Sequence, residues 1–165
     1  MKQDEPCNDL SSLLAASAYV LEGKYVCDEC GVPVPVYGVM LVGPFDVVGD
    51  PPVDEDDDSA ILRRPLELPS TLAAVLTESS SGHFHPDFSR TIGQQYWMNH
   101  CRDCGAKIGD WFVHSPGEAF FPLNDADLAL LKGRQVDGPL RFVAPELAAS
   151  SWTSNWLRKM QISGS

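Results

Sequence analysis

The sequence predicts an α+β fold, a small antiparallel sheet with peripheral helices, on three observations. Short segments rich in Val, Tyr and Phe alternate with Gly-Pro and Ser-rich breaks, which is strand-and-turn patterning. A few stretches carry helix caps ahead of apolar residues. Finally, two copies of Cys-x-x-Cys-Gly stand far apart in a chain of 165 residues, a length that suits one domain spanning residues 1–165. A chain of this size buries roughly two-thirds of its unfolded surface, so a core forms without staples. Its apolar fraction of 44% is ordinary for a globular protein.

The elements follow in order. Asn8 and Asp9 are candidate caps for a helix over residues 10–21, where Leu10, Leu13, Leu14, Ala18 and Leu21 share one face and Gly23 ends the run. Tyr25-Val26 reads as a short strand entering the first Cys pair. Residues 32–42 are rich in strand formers, but Pro33 and Pro35 cannot donate ladder hydrogen bonds, which puts their part of the strand at a sheet edge. Gly43-Pro44 reads as a turn. Residues 49–59 hold two prolines and the run Asp54-Glu55-Asp56-Asp57-Asp58, expected as a mobile, solvated loop whose spacing does not match a calcium-binding loop.

Pro69-Ser70-Thr71 starts a helix through Leu76, which Ser79-Ser80-Ser81-Gly82 breaks. A second block runs from Ile92 through Tyr96-Trp97 and the second Cys pair to an expected strand at Trp111-Phe112-Val113. Ser115-Pro116-Gly117 is a turn, Ala119-Phe120-Phe121 a further strand, and Asn124 or Asp125 caps a helix through Leu131 that ends at Gly133. The C-terminal segment, residues 150–165, carries Trp152, Trp156, Leu157 and Met160 as an expected amphipathic helix. It either folds back on the core or offers a flexible docking surface.

The chemistry lies in the internal repeat. Cys27-Asp28-Glu29-Cys30-Gly31 and Cys101-Arg102-Asp103-Cys104-Gly105 share one pattern, and continuing both copies in register sets Tyr37 opposite Trp111 and Val39 opposite Val113. Two residues between cysteines allow a tight turn with both sulfurs pointing inward, and the following glycine leaves that turn at positive φ. Two such turns supply four soft ligands in tetrahedral array, so Cys27, Cys30, Cys101 and Cys104 are expected to bind one structural Zn²⁺. One Cys-x-x-Cys alone also suits redox enzymes, and iron–sulfur sites use thiolates too; the paired copies favour zinc. Four-Cys sites commonly separate their pairs by ~15–20 residues, whereas residues 31–100 intervene here, so the ion would close a long loop. A fully thiolate-ligated ion keeps no place for water and is expected to be non-catalytic. Cys7 is left without a partner.

The run Tyr96-Trp97-Met98-Asn99-His100-Cys101-Arg102-Asp103-Cys104-Gly105-Ala106-Lys107-Ile108-Gly109-Asp110-Trp111-Phe112, followed by Phe120-Phe121-Pro122, resembles a pattern in uncharacterised bacterial zinc-ribbon proteins. The resemblance covers roughly residues 90–122 and the first Cys pair. It implies a two-knuckle zinc ribbon at the centre of the sheet, and it implies no reaction.

Charge narrows the partners. Twelve Lys and Arg against 23 Asp and Glu give a net charge of −11, which disfavours phosphate backbones and anionic lipid. No apolar run is long enough to span a bilayer, and Met1-Lys2-Gln3-Asp4-Glu5 is acidic and polar where a secretory signal needs a basic start. A cytoplasmic protein is expected, in which paired cysteines serve as metal ligands rather than disulfides. The favoured function is a non-enzymatic, zinc-stabilised module that binds another protein through the acidic loop or the Trp152/Trp156 segment.

Two alternatives carry named residues. A nucleic-acid-binding ribbon would use Lys24, Arg102 and Lys107, which Glu22, Asp28, Glu29, Asp103 and Asp110 offset. An enzyme would use His83, His85 and Asp87, since His-x-His on a strand puts both rings on one side. Glu22-x-Lys24 with Asp9 resembles a metal-dependent nuclease core, but that core needs the tripeptide on a strand and here it follows the expected helix. His100 and His114 are read as surface residues or supports of the ribbon, and Asn99 and Asp110 as hydrogen-bonding supports of the second turn. There is no glycine-rich phosphate loop, Gly-x-Ser-x-Gly or His-Glu-x-x-His.

Overall fold

A long strand, β1 (Ser12–Val26), runs where the leucine spacing suggested a helix. Its residues are apolar in both directions. Leu13, Ala15, Ala18 and Val20 enter one core cluster, while Leu21 and Tyr25 enter another. Burial alternates along it but slips at Ala16 and changes face at Val20/Leu21, which is why its leucines imitate a helical stripe. The computed structural model describes residues 12–48, 59–143 and 145–148, with residues 161–163 described as backbone.

β1 pairs along its length with β2 (Pro33–Val48) and β7 (Lys132–Val143), both antiparallel. β3 (Ser59–Arg63) extends the sheet beyond β2, and β8 (Glu146–Ala148) beyond β3. β9 (Gln161–Ser163) lies parallel to β7, giving the order β8-β3-β2-β1-β7-β9. β4 (Phe84–Ser89), β5 (Gln94–His100) and β6 (Lys107–Ile108) form a second, three-stranded antiparallel sheet.

Gly43-Pro44 does not reverse the chain. Together with Gly138-Pro139 on the other side, it faces Ala16, where both ladders slip by one residue. Two residues thus oppose one on each flank of β1, the arrangement of a β-bulge. Glycine is required at 138, since a Cβ there would overlap the carbonyl oxygen of Ala16. Proline in each bulge removes a ladder donor at the place where pairing already lapses.

The prolines of β2 lie on an edge, as expected. β3 pairs only with Val39–Val42, so Pro33 and Pro35 have β1 as their ladder partner and nothing of β3 beside them. The outward backbone of Tyr37 is taken by the side chain of Asn99. Tyr37 N–H donates to Asn99 Oδ1 at 2.7 Å, and Asn99 Nδ2 donates to the Tyr37 carbonyl at 2.9 Å. One buried amide thereby fills the place of a ladder residue and joins the two sheets.

α1 (Ser70–Ser79) buries Leu72 and Leu76 against the first cluster and ends where the serine-glycine run predicted. α2 (Asp110–Val113) is a single helical turn, so the expected strand there, and with it the match of Trp111 to the strand residue Tyr37, does not hold. The repeat stops at the turns. Residues 119–121 form turns rather than a strand, with Phe120 buried in the second cluster. α3 (Asp125–Ala129) is capped by Asn124, whose Oδ1 accepts from Asp127 N–H at 2.9 Å. It ends before Leu131, and Gly133 lies inside β7. The acidic run 54–58, Cys7 and the segment with Trp152 and Trp156 lie outside the described residues. Among the described residues no helix is long and apolar enough to cross a membrane.

Candidate metal centre

Each Cys-x-x-Cys-Gly forms the loop of a hairpin, one joining β1 to β2 and the other β5 to β6. The residue before the first cysteine pairs with the residue six positions after that cysteine, Val26 with Pro33 and His100 with Lys107. The first cysteine's N–H closes on the carbonyl five residues on: Cys27 to Val32 at 3.0 Å and Cys101 to Ala106 at 2.8 Å. Each glycine N–H returns to the carbonyl of its first cysteine at 2.8 Å. Gly31 and Gly105 sit at φ +72° and +78° with open space about them, so glycine is needed there for its backbone freedom and not for room.

The two loops converge. Cys27 Sγ lies 3.7 Å from Cys104 Sγ and Cys30 Sγ lies 3.7 Å from Cys101 Sγ, with all four sulfurs within 4.8 Å of one another. A disulfide would hold sulfurs near ~2.05 Å. Tetrahedral Zn–S bonds of ~2.3 Å place sulfurs about 3.8 Å apart along each edge. The cysteines therefore stand at the spacing of a metal tetrahedron, and their soft donor set is complete at four. Cys27 and Cys101 are buried and Cys30 and Cys104 lie towards solvent. Among the described residues this is the group of side chains gathered closely enough to hold a metal ion.

Backbone dipoles prepare the sulfurs for negative charge. The N–H of Cys104, 3.5 Å from Cys101 Sγ, is the main reason that the Cys101 thiol drops to about 7, with the N–H of Asp103 assisting. At Cys30 the N–H of Val32 also favours the thiolate, but desolvation and contact with the other sulfurs outweigh it and hold that thiol at about 12. The N–H of Ala106 likewise favours the Cys104 thiolate, against desolvation and the neighbouring Cys101 and Cys27 that push it up. Four bare thiols in contact resist joint ionisation, and a divalent cation at their centre is what removes that resistance.

Comparison with family models, curated proteins and solved structures gives no match to this chain.

The other candidates resolve differently. His85 and Asp87 do share one side of β4, yet both are directed at His100. The His85 ring stacks on it with centroids 3.8 Å apart, and Asp87 Oδ2 lies 2.8 Å from its Nε2. Asp87 also faces Lys107 Nζ at 3.4 Å, and His100 with the Phe88 N–H and Lys107 draws its carboxyl down to about 2. His83 departs from this group: its carbonyl accepts from His100 N–H, and its ring lines a separate cavity. Neither His100 nor His114 is a surface residue; both are buried.

Asp110 is a buried hub rather than a support of the second turn. Its carboxylate accepts from Arg63 Nε at 3.3 Å, its backbone carbonyl lies 3.0 Å from His114 Nδ1 with the carboxylate 3.3 Å from the same nitrogen, and its N–H donates to Tyr96 Oη at 3.0 Å. Burial lowers the His114 pKa although Asp110 opposes the shift, and His114 Nε2 is buried without a partner. Glu22 and Lys24 lie on a strand after all, which removes the objection to the nuclease likeness. Glu22, however, is engaged by Tyr37 Oη at 2.9 Å and Lys132 Nζ at 3.7 Å, and Asp9 is outside the described residues. The bridging role of Asn99 had no signal in sequence, because its partner is 62 residues away.

Proposed function

We propose that the chain is a non-enzymatic module of the zinc-ribbon kind, in which Cys27, Cys30, Cys101 and Cys104 hold one structural zinc ion and the assembled surface binds another protein. The observation that carries the metal reading is the pair of 3.7 Å sulfur contacts across the loops, within a cluster no wider than 4.8 Å. Zinc is favoured over other ions because four thiolates suit a soft, redox-inert tetrahedral ion and leave no position open for substrate.

The interaction reading draws on exposed aromatics next to the cluster. Trp111 is 73% exposed and Phe112 47% exposed, and Phe112 lines a hollow with Tyr25, Cys27 and Ile108. Aromatic side chains at the surface of a rigid support are the usual anchors of protein interfaces. Lys107, which a nucleic-acid reading would need, is half exposed but engaged by the Phe88 carbonyl at 2.8 Å and by Asp87 at 3.4 Å.

Elemental analysis of the purified protein tests the metal, with about one zinc per chain expected. Folded, metal-free protein with all four thiols open to titration would remove it. For the partner, cross-linked capture is run with wild type and with Trp111→Ser/Phe112→Ser. A protein retained by both would place the contact elsewhere.

A further inference from the structure

Arg102 sits between two of the cluster cysteines, yet its guanidinium has no hydrogen bond and no carboxylate at ion-pair distance among the described residues. That is unexpected in a chain with 23 acids. The side chain lines a cavity of about 370 Å³ between the end of α1 and β2, together with Tyr37, Glu22, His83, Ser79 and Ser81. This volume is in the range of small-ligand sites. A second hollow of about 260 Å³ shares Arg102 and Glu22 with it and adds Lys24 and Lys132.

The acidic group in these hollows is already engaged. Glu22 accepts from Tyr37 Oη and pairs with Lys132, and among the described residues it forms no ion pair with Arg102. Arg102 acts on the Tyr37 hydroxyl instead, opposing the upward shift that burial and Glu22 impose on it.

Donors share this cavity. Ser79 Oγ accepts from Arg134 Nη1 at 3.4 Å, which leaves its own O–H to donate. Ser81 Oγ and the His83 ring have no hydrogen-bond partner among the described residues. Ser81 adopts φ +53°, a left-handed conformation rare outside glycine, and Gly82 follows at φ +83°. The helix end does not turn bare carbonyls into this space throughout: those of Leu76, Thr77 and Glu78 accept from Ser80, Gly82 and Ser81 N–H.

We infer that this cavity binds a small ligand carrying a carboxylate or phosphate group, with Arg102 as the charged anchor and Ser79, Ser81 and His83 as donors beside it. The planar guanidinium matches either oxyanion through paired N–H bonds. A long polyanion is disfavoured, because Asp28, Glu29 and Asp103 lie on the same two turns and the chain as a whole is strongly acidic. The inference stands apart from the metal reading, since a protein that bound no zinc but kept this cavity would answer the same titration.

The full chain is titrated with inorganic phosphate and separately with succinate, followed by amide NMR and calorimetry. Saturable shifts are expected at Ser79, Ser81, His83 and Arg102. Arg102→Gln should weaken binding at least about tenfold, the loss expected for one charge-assisted contact. Lys107→Gln, whose amine is engaged with Phe88 and Asp87, should leave it unchanged. Phosphate alone binding assigns phosphorylated ligands, and succinate alone assigns carboxylates. No saturable shift with either probe by about 10 mM, where a millimolar site is occupied, overturns the inference, as does equal affinity in Arg102→Gln. Should that variant fail to fold, Ser81→Ala and His83→Phe replace it, each expected about threefold weaker because one donor is lost. Unchanged affinity in both would be decisive against the site.

Discussion

The two cysteine turns are alike in their hydrogen bonds and unlike in what carries them. The first ends a hairpin of strands 15 and 16 residues long, whose central strand is covered on both faces. The second ends a hairpin whose ladder consists of two pairs, Asn99 with Ile108 and His100 with Lys107. The large sheet therefore fixes one half of the sulfur cluster before any ion arrives. The other half depends on β5, held by β4 through six ladder pairs, and on the Asn99 bridge, the Lys107 tether and the sulfurs themselves.

Removing the metal should expose that asymmetry most strongly. The proposed zinc ion should be released by a chelator or by Cys101→Ser at a cost of several kcal/mol, below the ~10–16 kcal/mol seen where zinc supplies nearly all the folding energy, because both core clusters persist. Hydrogen exchange should then quicken at residues 101–108 while the β1–β2 ladder keeps its protection. Cys27→Ser should lose the metal equally but leave residues 27–32 better protected than 101–106. Equal loss at both turns would break the comparison.

The Asn99 bridge comes next. Asn99→Ala leaves a buried N–H and a buried carbonyl of Tyr37 without partners, at a cost of about 2–4 kcal/mol when each unsatisfied group is counted. Denaturant unfolding of the metal-loaded protein measures it. A loss below that of an ordinary surface substitution would show that the sheets are joined by something else.

What was legible in the sequence follows the range of the interactions. The turns were readable because a Cys-x-x-Cys-Gly loop closes on itself within six residues, and α1 because its capping and breaking residues are adjacent to it. β1 imitates a helix because its buried face changes at Val20/Leu21, which interrupts the period of two. The bulge at Ala16 adds to this by spacing the residues on one face at 13, 15, 18 and 20. β7 went unnoticed since Gly133 and Gly138-Pro139 look like breaks, although Leu140-x-Phe142 carries a strand alternation. Trp111-Phe112-Val113 favours strand by composition, but Asp110 is anchored by Arg63, His114 and Tyr96 and starts a helical turn instead. At the site, the four clustered cysteines could be named from spacing alone. Asn99 stood out locally as a hydrogen-bonding residue, but its partner Tyr37, the Asp87–His100 contact and the Arg102 cavity are products of tertiary proximity.

The Asp110 hub predicts a pH dependence on the weaker side of the molecule. Burial holds the His114 pKa below its ordinary value, so the folded protein keeps this ring neutral while the unfolded chain takes up a proton below about pH 6.5. More protons are then bound in the unfolded state, and stability falls as pH drops through the window beneath that value. The unfolding free energy of wild type should decline between about pH 7.5 and about pH 5.5 more steeply than that of His114→Gln. Comparing the two proteins cancels any acid-driven loss of zinc that they share. Parallel slopes would mean that this ring contributes nothing to the pH response.

The smallest effects should still sort by turn. Tyr25 Oη donates to Asp28 Oδ2 at 2.9 Å beside the first turn, and Tyr25→Phe removes that partly buried bond for about 1 kcal/mol. Lys107 Nζ donates to the Phe88 carbonyl at 2.8 Å beside the second. The side chain is half exposed, so Lys107→Met should cost less than about 1 kcal/mol in global stability. Local exchange should reverse this order. The first turn keeps its long ladder when Tyr25 is altered, so amides 27–32 should change little. The second turn has two ladder pairs and loses one of its few other restraints, so amides 101–106 should exchange faster in Lys107→Met despite the smaller global loss. Faster exchange at the first turn than at the second would contradict the unequal support from which both predictions derive.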